Sequence, residues 1–249
     1  MLTLSFLGAG VFHPRSQATK QEQTMQFLKK YRITISLSLF IALVYFILGP
    51  VPETLYFNAE LITQGELWRY ISGHLVHSDP QHLLLNLSAF IILSALIEQH
   101  SRLQLFAALF SGIIFINFYL FNNNEITNYA GLSGVLNSLL VIALYQQWQL
   151  HSKQLSLTGY LPASIYLISA AKIIYELYSR DSLFSHTLWP SLPQAHLAGF
   201  MAGHIVVLLI HSVGWLPSGN RFCDNLAECS SHRFQVSNIV IKVFKSIRI

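Results

Sequence analysis

Three apolar stretches of this chain open on residues suited to nucleophilic catalysis. The segment Asn128 to Leu140 reads NYAGLSGVLNSLL and sets Ser133 between Leu132 and Gly134, with Gly131 one position further back. If a helix starts there, the N–H groups of its first turn lack intrahelical partners and its dipole is positive at that end. That is a favourable place to develop a negative oxygen. Gly131 can relieve the strain of a tight turn into the helix, and Gly134 removes a side chain beside the hydroxyl. The segment AHLAGFMAGH puts His196 at the head of a second stretch, with Gly199 and Gly203 three and seven residues later on the same helical stripe. Such a stripe of small residues lets another helix approach closely. If the helix of Ser133 lies there, the imidazole can accept the serine proton. The third stretch begins HLLLN, with His82 and Asn86 four apart on one helical face. An Asn inside a short apolar span is costly unless it faces protein or a water-filled cavity. Its amide N–H can donate to an oxyanion, and His82 can do the same or hold a water.

Each of these features also has a plainer reading. Serine caps helices, glycines serve packing, a histidine can sit at a water interface, and an Asn can bridge two helices. Three coincidences at one depth are harder to dismiss than one. His74, His77 and His82 could suggest a metal, but their spacing is not a specific metal-site signal and there is no HExxH, so no metal or other cofactor is expected. His204 and His211 fall deeper in their stretch and read as packing or inner-interface groups. Lys172 and Glu176, four apart, read as a local ion pair at the headgroup level. No third acid is evident to orient His196, in contrast to a Ser-His-Asp arrangement.

The elements that must position these residues follow from composition. Apolar residues make up 53% of the 249, charged residues 10%, and the mean hydropathy is +0.46. A water-facing surface normally has about a quarter of its residues charged, so the largest contact of this chain is expected to be lipid. A span needs about 20 mostly apolar residues, and six candidates stand out: Arg32 to Gly49, His82 to Ile97, Leu103 to Phe121, Leu132 to Trp148, Leu161 to Leu177, and His196 to Trp215. The fold class is therefore an all-α polytopic membrane protein. Three segments divide it: 1–31, a short cytoplasmic segment; 32–215, the membrane domain with an outer loop over 50–81; and 216–249, a basic cytoplasmic tail.

Basic residues orient the spans. Arg15, Lys20, Lys29, Lys30, Arg32, Arg102, Lys153, Arg221, Arg233, Lys242, Lys245 and Arg248 fall on one side, against Arg69 and Arg180 on the other. The positive-inside rule then puts both termini in the cytoplasm. This also accounts for the net charge of +4 without a nucleic-acid partner. The longer, irregular loops face outward, and a site is expected at that rim. No signal peptide or seventh span is evident, and Met25 is an alternative start to Met1. Cys223 and Cys229 fall on the inner side, where thiols stay reduced.

The combination of residues resembles the rhomboid family of intramembrane serine proteases. The matches are ELWRY from Glu66 to Tyr70, His77, His82 and Asn86 in H-x₄-H-x₃-N, GLSG from Gly131 to Gly134, and AH-x₂-G-x₃-G from Ala195 to Gly203. Their order and their placement on the second, fourth and sixth spans agree too. The resemblance implies a six-helix core with Ser133 as nucleophile and His196 as base. It implies oxyanion stabilisation by His82, Asn86 and the Ser133 N–H, and structural roles for Trp68, Arg69 and His77 in the outer loop. Asn137 departs from the common bacterial pattern, where a Tyr stacks on the catalytic His; here that amide, or packing, is expected to orient His196. GELW, GLSGVL and AHLAG look closest to the rhombosortase branch, whose members are thought to cut C-terminal Gly-Gly anchor tails from exported proteins. The implied partners are the bilayer and membrane-anchored substrates ending in Gly-Gly, an apolar span and a basic tail. The implied setting is a bacterial inner membrane with the site open to the periplasm. Two other functions would use the same helices: a catalytically silent rhomboid-like binding protein, which would usually lack the serine or histidine, and a transporter, which would show internal repeats or broken half-helices.

Overall fold

The computed structural model describes residues 20–123, 125–152, 157–180, 183, 189 and 192–212. The segment expected to precede the spans is thus described only from residue 20, and the expected tail 216–249, with Cys223 and Cys229, lies outside the described residues. A helix α1 (Lys20–Lys30) bends by 76° into α2 (Arg32–Leu48). The side chain of Tyr31 does not cap α2. Instead the buried carboxylate of Glu98 accepts from Ile33 N at 3.1 Å, Thr34 N at 2.9 Å and Thr34 Oγ1 at 2.8 Å. An anion placed on the positive end of a helix satisfies N–H groups that would otherwise be orphaned in a water-poor setting.

The segment that follows carries β1 (Phe57–Asn58), α3 (Ala59–Thr63) and α4 (Arg69–Ser72). Asn58 caps α3 by accepting from Leu61 N at 2.9 Å. The long helices are α5 (Pro80–Glu98), α6 (Arg102–Phe121), α7 (Ser133–His151), α8 (Leu157–Ser179) and α9 (Pro193–Ser212). Asp79 caps α5 by accepting from His82 N at 2.7 Å, and Pro80 follows at the first turn, where a missing N–H costs nothing. Between α6 and α7, β2 (Asn128–Tyr129) pairs antiparallel with β1, Phe57 opposite Tyr129 and Asn58 opposite Asn128. This short ladder fastens the segment between α2 and α5 to the turn that leads into Ser133.

Among the described residues α2, α5, α6, α7, α8 and α9 pack side by side, close to the expected stretches. Helix α7 is central, in contact with α5, α6, α8 and α9, and Val135, Leu139 and Ile142 on it are fully buried. The outward faces are apolar: Phe46 and Ile47 on α2, Ile114 and Phe118 on α6, Leu167 and Ile168 on α8, and Leu208 on α9 are all exposed. Polar side chains lie inside, as in the Gln146–Gln104 pair at 2.6 Å and the Ser138 hydroxyl that donates to Ala108 O at 2.8 Å. Apolar outside and hydrogen-bonded polar groups inside is the arrangement that hydrocarbon imposes. The protein is all-α and membrane-spanning. By length and composition α5, α6 and α9 can each cross a bilayer, and the bent α1–α2 pair makes a fourth if counted as one span. That is fewer than the six expected. Helix α2 alone has only 17 residues, and α7 and α8 carry polar groups such as Asn137, Gln146, Lys172 and Glu176 that lower their apolarity.

Candidate active site

The pair of helices α7 and α9 is held closer than side chains would normally allow. A Cβ on Gly134 would stand 2.7 Å from Ile116 Cδ1 and 2.9 Å from Ala195 O; on Gly203, 2.8 Å from Val141 Cβ and 2.9 Å from Ser138 O. A Cβ on Gly199 would collide with the carbonyl oxygen of Gly134. The glycine stripe read from the sequence therefore lies directly on the helix of Ser133. Its consequence is a hydrogen bond of 2.9 Å between Ser133 Oγ and His196 Nε2.

Helix α7 begins at Ser133 with no side-chain cap from Leu132. The turn before it needs glycine, since Gly131 has φ +135°. Gly131 is fixed on two sides, its N–H donating to Gly73 O at 2.9 Å and its carbonyl accepting from the Tyr129 hydroxyl at 2.7 Å. Burial pushes the Tyr129 phenol up from its ordinary value, so it stays a donor. The His82 ring lies against the other face of this turn: a Cβ on Gly131 would be 3.1 Å from its Cε1 and 3.3 Å from its Nε2. Asn86, one turn along α5, is buried, and its Nδ2 has no partner among the described residues. A buried amide donor without an acceptor is costly, and it suits an oxygen that arrives with a substrate.

His82 is more constrained than its position suggests. The Ser78 hydroxyl donates its single proton to Asp79 Oδ2 at 2.7 Å and lies 3.1 Å from His82 Nδ1. Nδ1 must therefore carry the proton that Ser78 Oγ accepts, and Nε2 of the neutral ring is left as an acceptor. Neutral His82 is set to hold a water; it donates from Nε2 only when doubly protonated.

Of the two readings for the orientation of His196, the amide does not stand. Asn137 Nδ2 donates to Ser133 O at 2.9 Å, within its own helix, and does not reach the imidazole. A third acid is present after all: Glu176 Oε2 lies 2.9 Å from His196 Nδ1. The expected Lys172–Glu176 ion pair exists at 2.8 Å, but Glu176 is fully buried and faces the bundle rather than the headgroups. Its Oε1 also accepts from Leu183 N at 3.0 Å. The missed signal was in the sequence: the cost of a polar group inside an apolar span, used for Asn86, applies more strongly to a carboxylate.

The loop between α2 and α5 is stapled by Arg69, whose Nη1 donates to Glu53 O at 2.8 Å and Tyr56 O at 2.7 Å while Nη2 pairs with Glu66 at 2.6 Å. Trp68 Nε1 donates to Thr54 O at 3.0 Å. His77 is buried edge-on to His82, ring centroids 5.0 Å apart, and its carbonyl accepts from Val51 N. His74 is buried against the Tyr129 ring. Burial holds His74 down at about 4, and burial together with the nearby His82 holds His77 at about 3, so both are neutral. His204 bonds the Tyr166 hydroxyl at 2.8 Å and joins α8 to α9, while His211 is exposed at the end of α9.

A cavity of about 330 Å³ opens between α5, α7 and α8, lined by Ala89, Leu93, Leu136, Asn137, Ser169 and Lys172 among others. Fold and site together define a membrane-spanning α-helical protein built around a serine–histidine pair. The rhomboid domain family model matches residues 64–213, well over half of the chain, and the chain belongs to the rhomboid family. No curated protein gives a significant match to the sequence.

Proposed function

We propose that this protein is an intramembrane serine endopeptidase that cuts membrane-anchored proteins near the outer end of a transmembrane helix. The observation that carries this reading is the 2.9 Å contact of Ser133 Oγ with His196 Nε2 within a rhomboid-family chain. His196 Nε2 takes the serine proton as Ser133 Oγ attacks the scissile carbonyl, and the tetrahedral oxyanion is held by Asn86 Nδ2 and the Ser133 N–H. The imidazolium then protonates the leaving amine, and the neutral ring activates a water that releases the acyl-enzyme. His82, with Nε2 facing the turn before Ser133, positions that water or, when protonated, supports the oxyanion. The substrate approaches sideways from the bilayer through the cavity between α5 and α8. A helical peptide bond hides its carbonyl, so a glycine-rich segment that unwinds readily is preferred.

The finer reading is a rhombosortase that removes Gly-Gly-type anchor tails from exported proteins. It acts in a bacterial inner membrane with six helices spanning, both termini cytoplasmic and the site open to the periplasm. GELW, GLSGVL and AHLAG support that branch, and the distribution of basic residues supports that orientation. The test uses purified full-length protein in liposomes with an anchored substrate that ends in Gly-Gly, one apolar span and a basic tail. Cleavage next to the glycines, lost when they are changed to Leu-Leu, is the expected result. Cleavage indifferent to the glycines would remove the rhombosortase assignment while keeping the protease. No cleavage of any anchored substrate, together with no labelling of Ser133 by fluorophosphonates, would count against both.

A further inference from the structure

Rhomboid-like sites are read as serine–histidine pairs, and that reading leaves the second imidazole nitrogen without a task. In this chain it has one. His196 Nδ1 is 2.9 Å from Glu176 Oε2, Lys172 Nζ is 2.8 Å from Glu176 Oε1, and Leu183 N donates to the same Oε1 at 3.0 Å. A carboxylate among three donors is acceptor-only when ionised, so Nδ1 must carry the ring proton and Nε2 must present its lone pair to Ser133. Resting on the serine-protease reading, we propose that Glu176 is a positioning residue that completes a Ser133–His196–Glu176 relay, with Lys172 setting how much of its charge the imidazole feels.

The geometry carries this on three grounds. Glu176 has no exposed surface, and a buried carboxylate in an apolar helix is retained only where its partners repay its dehydration. Its oxygens are divided, Oε2 reaching Nδ1 of the imidazole while Oε1 accepts from the Leu183 backbone. The alternative orienting group, Asn137, is occupied by Ser133 O. In the reaction the proton moves from Ser133 Oγ to Nε2 and later to the leaving amine. Glu176 remains ionised throughout and faces an imidazolium in the intermediate, as the acid of a Ser-His-Asp set does.

The charged and titratable groups that face His196 are Glu176 and Lys172 from α8 and the neutral His82 from α5, with the neutral Tyr129 phenol beside Ser133. Removing the negative charge of Glu176 or the positive charge of Lys172 should therefore move its protonation in opposite directions. The test is the pH profile of kcat/KM for purified protein on an anchored substrate in liposomes, whose acid limb reports the free enzyme's base. Glu176→Gln should lower kcat by about 10²- to 10⁴-fold with KM little changed, and its acid limb should move down by about one unit or more. Lys172→Met should keep much more of kcat and move the acid limb up. A purely structural ion pair would lower rate or stability in both variants and leave the limb where it is. Unmoved limbs, limbs that move the same way, or wild-type kcat in Glu176→Gln would overturn the proposal. If Glu176→Gln fails to fold, the ¹⁵N spectrum of histidine in folded Ser133→Ala protein decides: a His196 ring protonated at Nδ1 supports the relay, and one protonated at Nε2 rejects it. This spectrum needs no turnover, so it separates failure of the relay from failure of the protease reading.

Discussion

Gly203→Ala probes whether the close approach of α7 and α9 sets the catalytic geometry. The added methyl would lie 2.8 Å from Val141 Cβ and 2.9 Å from Ser138 O, both on α7. Carbon atoms in contact prefer about 3.5 Å or more, so the helices must separate by about 0.7 Å. Carried along α9 to His196, that displacement would lengthen the 2.9 Å bond to Ser133 to about 3.6 Å, outside hydrogen-bond range. Misplacement of reacting groups by about 1 Å can cost about 10²-fold in rate, and a loss of that order in kcat is expected. Stability should change less. Overpacking costs about 1 to 3 kcal/mol, but Ala favours a helix over Gly by about 1 kcal/mol, leaving a net loss of about 0 to 2 kcal/mol. The assay pairs single-turnover cleavage in liposomes with thermal unfolding in detergent. Gly112→Ala is the control, since its methyl would meet Ser138 Cβ at 3.2 Å and Val135 Cα at 3.4 Å, a tightness that small adjustments relieve. A Gly203→Ala protein that cuts at the wild-type rate would show that this helix contact does not fix the serine–histidine distance.

The other predictions are briefer. Asn86→Ala removes a donor with no partner among the described residues and should slow turnover by about 10² to 10³, whereas His82→Ala, which removes an acceptor Nε2, should cost less at neutral pH; equal losses in initial rates would contradict the proton assignment at Ser78. His74 and His77 are held neutral down to about 4 and about 3, while the unfolded chain takes up their protons near 6.5. The unfolded state therefore binds more protons below pH 6.5, and stability falls as the pH drops, by about 1.4 kcal/mol per pH unit for each ring. Denaturant titrations between pH 7 and pH 5 should show a loss of about 4 kcal/mol, roughly halved in His77→Asn; a flat profile would contradict it. Reporter fusions at Lys153 and Arg180 should report opposite sides of the membrane, and the same side for both would sink the proposed topology.

What could be read before the fold was known was the part carried by local chemistry. Ser133 at a helix start, the glycine stripe below His196, and His82 with Asn86 on one face all follow from helical spacing, and the long helices lie near the apolar stretches. The parts that were not legible depend on which way a helix is turned. The pairing of Lys172 with Glu176 is visible at four residues' spacing, but whether the pair faces lipid or the bundle is decided by how α8 packs on α7 and α9. Asn137 was judged from the position a Tyr would occupy, yet a shorter side chain folds back onto Ser133 O. The cap that Glu98 places on α2 spans 64 residues and leaves no local trace. Whether His82 donates to an oxyanion or holds a water stayed open in the sequence, because the choice rests on the proton that Ser78 and Asp79 fix.

The central claim is that Ser133 and His196 act as one unit. It is tested most directly by a double-mutant comparison in liposomes, with folding checked by thermal unfolding. The account predicts that Ser133→Ala abolishes cleavage of an anchored substrate, that His196→Ala nearly does, and that the double variant is little worse than Ser133→Ala, since one residue's task exists only through the other. A well-folded Ser133→Ala protein that still cuts at the wild-type rate would contradict it.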